Sequence, residues 1–95
     1  MKFTITEEVW EWRGPSPFYF VSIPIHVSNV IKAISAGVSY GWGAIPVKLT
    51  AADREWTTSI FTKDGRYIVP LKKAIRDSLA VRDGDYVTLA VELIA

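Results

Sequence analysis

Apolar positions along this chain recur at two spacings, and the spacing changes after two prolines. Near the start, Phe3, Ile5 and Val9 alternate with Thr4, Thr6 and Glu8, the two-residue period of a strand with one face on a core. The pair Glu7-Glu8 disturbs that phase ahead of Trp10 and Trp12, so a bend or bulge is predicted there. Gly14-Pro15-Ser16-Pro17 reads as a turn, because proline fixes φ and lacks an N–H. Phe18 to Ile23 is a short aromatic and β-branched run, predicted as a strand covered on both faces and ended by Pro24.

Beyond Pro24 the period lengthens. Val27, Val30, Ile31 and Ile34 fall at i, i+3, i+4 and i+7, one face of a helix, with Ser28 or Asn29 as its cap and Gly37 as its stop. Tyr40-Gly41-Trp42-Gly43 follows, a glycine-flanked tryptophan that lets the backbone turn sharply and present a large ring. Ile45, Val47 and Leu49 share one face of a third strand. After a turn at Ala52-Asp53-Arg54, Trp56, Thr58 and Ile60 alternate with Thr57, Ser59 and Phe61 along a fourth. Asp64-Gly65 is the strongest hairpin signal in the chain, since both residues accept positive φ.

Tyr67 to Val69 is a brief fifth strand that runs into Pro70 and a basic helix. Leu71, Ala74, Ile75, Ser78 and Leu79 are predicted on its buried side, and Lys72, Lys73, Arg76 and Asp77 outward, with Lys73 and Asp77 spaced for an i,i+4 ion pair. Asp83-Gly84 turns the chain into a last strand, where Val87, Leu89, Val91 and Leu93 share a face. The order is β-β-α-β-β-β-α-β, in which strand, proline, helix, turn, strand occurs twice, the prolines 46 positions apart (70 − 24). Six strands with two short helices are best satisfied by closing the sheet on itself. The prediction is a mainly β single domain over 1–95: a closed six-stranded barrel with a pseudo-two-fold internal repeat.

Composition narrows the function classes. The 49% apolar content supplies a core for a domain of this size, which buries roughly 60 to 65% of its unfolded surface. With no cysteine and one histidine, thiolate chemistry and the usual zinc sites are excluded, and no cofactor is expected. His26, with no acid beside it, is expected on the surface where the first helix begins. Lys+Arg 11 against Asp+Glu 10 is too even to argue for nucleic acid or an anionic membrane from net charge. An acidic start (Glu7, Glu8, Glu11) nonetheless faces a later basic stretch (Lys63, Arg66, Lys72, Lys73, Arg76). Neither a signal peptide nor a membrane span is legible, so a cytoplasmic setting is expected.

Gly41-Trp42-Gly43 with Ile45-Pro46-Val47, Trp56 to Phe61, Tyr67 to Arg76 and Gly84-Asp85 together resemble the bacterial and archaeal family called domain of unknown function 1905. The resemblance runs from Phe3 to Leu93. It implies a closed six-stranded barrel related to the double-split barrel of swapped-hairpin transcription regulators and antitoxins. Those assemble their barrel from two chains; here both halves lie in one, so a monomer suffices. Two positions depart from the family pattern: Thr62 stands where proline is frequent, and Ala52 where glycine commonly opens the hairpin. Those two turns are therefore expected to differ in shape.

Three uses compete for the remaining polar and aromatic residues. The favoured one is a binding or accessory module for a small anionic ligand or a protein partner. Trp42 and Trp56 would supply flat apolar surface, Ser59 and Lys73 polar contacts, and Arg76 a two-pronged grip on a carboxylate or phosphate. Against it stands the ordinary fate of such residues, tryptophan in the core and Arg76 paired with Asp77 or Asp85. The alternative is DNA binding through the second, basic helix. Last comes a hydrolase with Ser59 as nucleophile and Lys73 as its base.

Overall fold

The computed structural model describes residues 1–15, 17–35 and 44–94. Its elements follow the predicted order: β1 (Lys2–Trp12), β2 (Phe18–Ser22), α1 (Ile25–Ser35), β3 (Ile45–Ala51), β4 (Arg54–Lys63), β5 (Arg66–Pro70), α2 (Lys73–Leu79) and β6 (Tyr86–Leu93). The strands close into a barrel in the order β1-β2-β5-β4-β3-β6, with every neighbour antiparallel. Alternate residues fill the inside. Ile5, Val9, Val21, Val47, Leu49, Ile60, Val69, Leu89 and Val91 form one cluster with little or no exposure. Each such aliphatic side chain contributes about 1.5–3 kcal/mol relative to exposure.

No bulge interrupts β1. Its register is constant against β6 from Lys2↔Glu92 to Glu8↔Tyr86, and against β2 from Val9↔Val21 to Trp12↔Phe18. The strand changes partner at Val9 instead. Trp10 and Trp12 stay in phase, on the outer face, while Glu7 occupies an inward-phase position and its carboxylate lies 3.5 Å from Arg66 Nη2. β2 also departs from expectation. Val21 and Ile23 enter the core, but Phe18 faces out and remains 53% exposed.

Two backbone hydrogen bonds define the internal symmetry. The Ile23 N–H donates to the Tyr67 carbonyl at 2.8 Å, and the Leu71 N–H to the Tyr19 carbonyl at 2.9 Å. They are related by a shift of 48 positions (71 − 23 and 67 − 19). The same shift carries the Ser28 N–H bond to Pro24 (2.8 Å) onto the Arg76 N–H bond to Lys72 (3.0 Å). The two prolines are therefore not equivalent. Pro24 overlays Lys72, and Pro70 overlays Ser22.

The helices bury narrower faces than their apolar periods predict. In α1, Ser28 and Ile31 are buried and Val27 packs on the core, whereas Val30 and Ile34 are exposed, because one side alone rests on the barrel. Ser28 is no cap: it lies inside the first turn, donates to the Ile23 carbonyl at 3.1 Å and accepts the Tyr67 N–H at 3.1 Å. Gly37 lies outside the described residues. In α2, Leu71 before it is buried and Ile75 and Leu79 pack on the core, while Ala74 and Ser78 face solvent.

Turn chemistry follows the sequence closely. Asp64 (φ 53°) and Gly65 (φ 82°) both take positive φ, the requirement of a type I′ hairpin. Ala52 adopts φ 53° although it has a Cβ, in the left-handed region that glycine enters at no steric cost. Ala80 ends α2 in the same left-handed region, at φ 55°.

Candidate functional site

The barrel has two unlike outer walls. Along β3, β6 and the first half of β1 most outward side chains are polar, and several pair with one another. Thr6 and Thr88 share a hydroxyl hydrogen bond at 2.8 Å, and Lys48 Nζ lies 3.4 Å from Glu92 and 3.5 Å from Glu55. The hydrogen bond to Glu92, aided by the charge of Glu55, raises the Lys48 pKa. Along the second half of β1, β2 and the end of β4 the outward side chains are mostly aromatic, and β5 adds Ile68 and Pro70 beside them.

That aromatic wall is built by register. Trp10 stands opposite Phe20 and Trp12 opposite Phe18, with centroids 5.1 and 6.3 Å apart. Phe61 meets Phe20 edge-on at 5.9 Å. Phe20, although directed away from the core, is only 3% exposed, because Trp10, Trp12, Phe18 and Phe61 surround it. The Trp10 indole N–H donates to Ser22 Oγ at 2.8 Å, which fixes the ring that begins the row. Trp12, Phe18 and Phe61 stay open to solvent, around a hollow lined by these three with Phe20 and Pro70.

The wall runs into a groove of about 300 Å³ between β2 and the start of α2, lined by Phe18, Tyr19 and Phe20 from the strand and by Pro70, Leu71, Lys72, Lys73 and Arg76. At its end the Arg76 guanidinium lies over the Tyr19 ring, 3.9 Å from the centroid. Such stacking contributes about 0.5–2 kcal/mol, more as water is excluded. Arg76 Nε is buried and has no hydrogen-bond partner among the described residues. Behind it a second cavity of about 300 Å³ is bordered by Asp77, Val81, Arg82 and Asp83, so Arg76 and Tyr19 form a partition.

Tyr19 is held in place from the other side. Its hydroxyl donates to Glu11 Oε2 at 2.8 Å, and Glu11 Oε1 accepts from Arg13 Nε at 2.9 Å. The hydrogen bond to Glu11 raises the Tyr19 pKa, and the nearby Arg76 charge opposes the rise. Glu11 in turn is tied to the loop after α2, its N–H donating to Asp83 Oδ1 at 3.0 Å. Asp85 accepts the Arg82 N–H of its own loop at 2.9 Å. The acids expected as partners for Arg76 are thus engaged elsewhere: Asp85 in that loop, and Asp77 by Lys73 Nζ at 2.7 Å.

Of the residues singled out in the sequence, Lys73 and Arg76 meet at this groove. Arg76 turns onto the barrel and is half-buried, where an outward side chain was expected, because the Tyr19 ring offers it a face. Trp56, opposite Leu49 on β4, is half-buried against the core and does not line the groove. Ser59 sits exposed on β4 opposite Pro46, and no hydrogen bond joins it to Lys73. Trp42 lies outside the described residues. His26 is exposed, and no cluster of three metal-ligating side chains occurs among the described residues. Among them, too, no helix is long and apolar enough to cross a membrane.

Sequence reasoning missed Tyr19, Phe18 and the wall. A signal existed: Trp10 and Trp12, like Phe18 and Phe20, are two apart, so each strand carries aromatics on one face. Beyond the chain itself, the model of a family described as Domain of unknown function (DUF1905) matches residues 6–91. No curated protein matches.

Proposed function

The chain belongs to the family described as domain of unknown function (DUF1905), and from that premise we propose that it is a binding module for a small anionic ligand. The ligand occupies the groove between β2 and the start of α2. The observation that carries this reading is Arg76, a cation laid over Tyr19 with a buried Nε–H that lacks an acceptor among the described residues. A buried donor without an acceptor costs about 1–3 kcal/mol, and a carboxylate or phosphate oxygen in the groove would offset it once a small shift of the guanidinium brings Nε–H to the surface. Lys72, exposed on the groove's border, adds a second cation, whereas the Lys73 ammonium is already engaged by Asp77.

Use of α2 as a DNA-contacting helix has weaker support, since its Arg76 turns toward the barrel and its Lys73 toward Asp77. The Ser59 and Lys73 hydrolase has weaker support still, for want of a contact between them. The test is thermal unfolding against a panel of inorganic phosphate, sulfate, acetate and benzoate. At least one anion is expected to raise the Tm of the native chain, and Arg76→Ala to lose that rise while its unliganded Tm changes little. A rise that survives in Arg76→Ala refutes the assignment. Arg76→Lys, which keeps the charge and loses the fork, should retain only part of it.

A further inference from the structure

The aromatic wall is left over once the groove is assigned, yet the two are continuous: Phe18, Phe20 and Pro70 line both the groove and the hollow in the wall. The hollow's other two residues are Trp12 and Phe61, so its lining carries rings and a proline and no side-chain hydrogen-bonding group except the Trp12 indole N–H. Trp12 and Phe18 are half-exposed, an unusual state for two large aromatics side by side on a small barrel. The far end of the continuous surface is cationic, with Lys72 and Arg76.

A surface with a ring-faced half and a cationic half matches a ligand with a flat ring and an anionic group a short linker away. We propose that this surface binds a nucleobase joined to phosphate, the base stacked on Trp12 and Phe18 and the phosphate held by Arg76 and Lys72. The proposal rests on the groove being the anion site. Ring faces attract flat π systems whatever their edge pattern, and the wall offers little to read a base edge. Binding is accordingly tolerant of base identity. The source is a free nucleotide or one residue of a single strand; both present the same chemistry.

Tryptophan fluorescence titrations of the full chain with inorganic phosphate, adenosine, adenosine 5′-monophosphate and a short single-stranded oligoadenylate test it. The monophosphate is expected to bind about tenfold tighter than phosphate or adenosine alone. Phe18→Ala, at an exposed position, should reduce it to the level of phosphate, and Arg76→Ala to the level of adenosine. An oligoadenylate that binds more tightly, with steep loss on added salt, identifies the strand as the source; equal affinity identifies the free nucleotide. Both outcomes support the proposal. A monophosphate no tighter than phosphate, with Phe18→Ala unchanged, overturns it and leaves the anion site standing. A monophosphate that binds no tighter than adenosine and is untouched by Arg76→Ala removes the anion site, and the proposal with it. A Phe18-dependent dimer in sedimentation that nucleotide does not disturb also overturns it, since the wall would then be covered by a second copy.

Discussion

Where the first strand–helix unit buries Ser28, the second, 48 positions on, lays Arg76 over a tyrosine. The tyrosines correspond as well: Tyr67 is 4% exposed and its N–H is met by Ser28, whereas Tyr19 is half-buried beneath the guanidinium. A third pair behaves alike. Arg66 donates from Nε to the Ile23 carbonyl at 2.9 Å and from Nη2 to the Ser22 carbonyl at 3.4 Å, tying its strand to the end of β2 beside a cavity of about 330 Å³ that it lines with Ser22 and Ile68. Its counterpart Phe18 (66 − 48) makes ring contacts only and leaves a groove. One backbone plan thus carries hydrogen-bonded side chains beside its cavity in one copy and aromatic rings with a stacked cation in the other. The lesson is that the same backbone plan can hold its polar side chains by hydrogen bonds in one copy and leave a buried donor without an acceptor among the described residues in the other.

The strongest way to break this comparison is to exchange the paired residues. Ser28→Arg places a charge at a site with no exposure and should cost more than about 4 kcal/mol, whereas Arg76→Ser loses only a stacking contact of about 0.5–1 kcal/mol. Urea unfolding of both variants reads the contrast; similar losses would mean that the two sites are alike. Next in size, Arg66→Ala should cost about 1–2 kcal/mol, a charged hydrogen bond discounted for part exposure. In a crystal of that variant the cavity of about 330 Å³ beside Arg66 should widen toward the Ser22 and Ile23 carbonyls.

Helix length offers a sharper and smaller test. α2 stops after seven residues with Ala80 at φ 55°, while α1 runs for eleven. Ala80→Gly should gain about 1 kcal/mol by removing a left-handed Cβ, and Ala33→Gly inside α1 should lose about as much. Equal signs in thermal unfolding would contradict the assignment of Ala80 as a strained stop. The smallest effect belongs to Lys73→Ala. Its hydrogen bond holds the Asp77 pKa below the ordinary 3.8. A depressed carboxylate pKa stabilises the fold above the unfolded value and ceases to do so as pH falls through the folded one. Native chain and variant should therefore differ slightly at neutral pH and converge below that range.

Most of the fold was legible because it rests on period-two alternation and on turn residues whose φ is set by covalent geometry, Asp64-Gly65 above all. The repeat was legible too, but its offset was not. Proline marks where a strand ends, which one unit does at Pro24 and the other two residues earlier in register at Pro70, whereas equivalence is set by the bonds of Ile23 and Leu71. The site was half legible. Arg76 stood out as a cation, but its turn toward the barrel depends on Tyr19, 57 residues away (76 − 19), and no local period carries that information. Glu7 shows the same limit. Its charge breaks the apolar pattern, and only the distant Arg66 explains how it sits in phase without a bulge.

The pairing of β1 with β6 joins the first strand to the last, with Phe3 opposite Val91. Contacts so far apart in the chain carry the largest loop-closure entropy, and barrels dominated by them fold in milliseconds to seconds. During synthesis β1 to β5 emerge with no last strand to close on. Until β6 arrives, β1 and β3 each present a free edge, and the aromatic row on β1 and β2 is exposed beside one of them. Loss of the eight residues of β6 would make that transient state permanent, turning a closed barrel into an open sheet with two edges ready to pair with other chains.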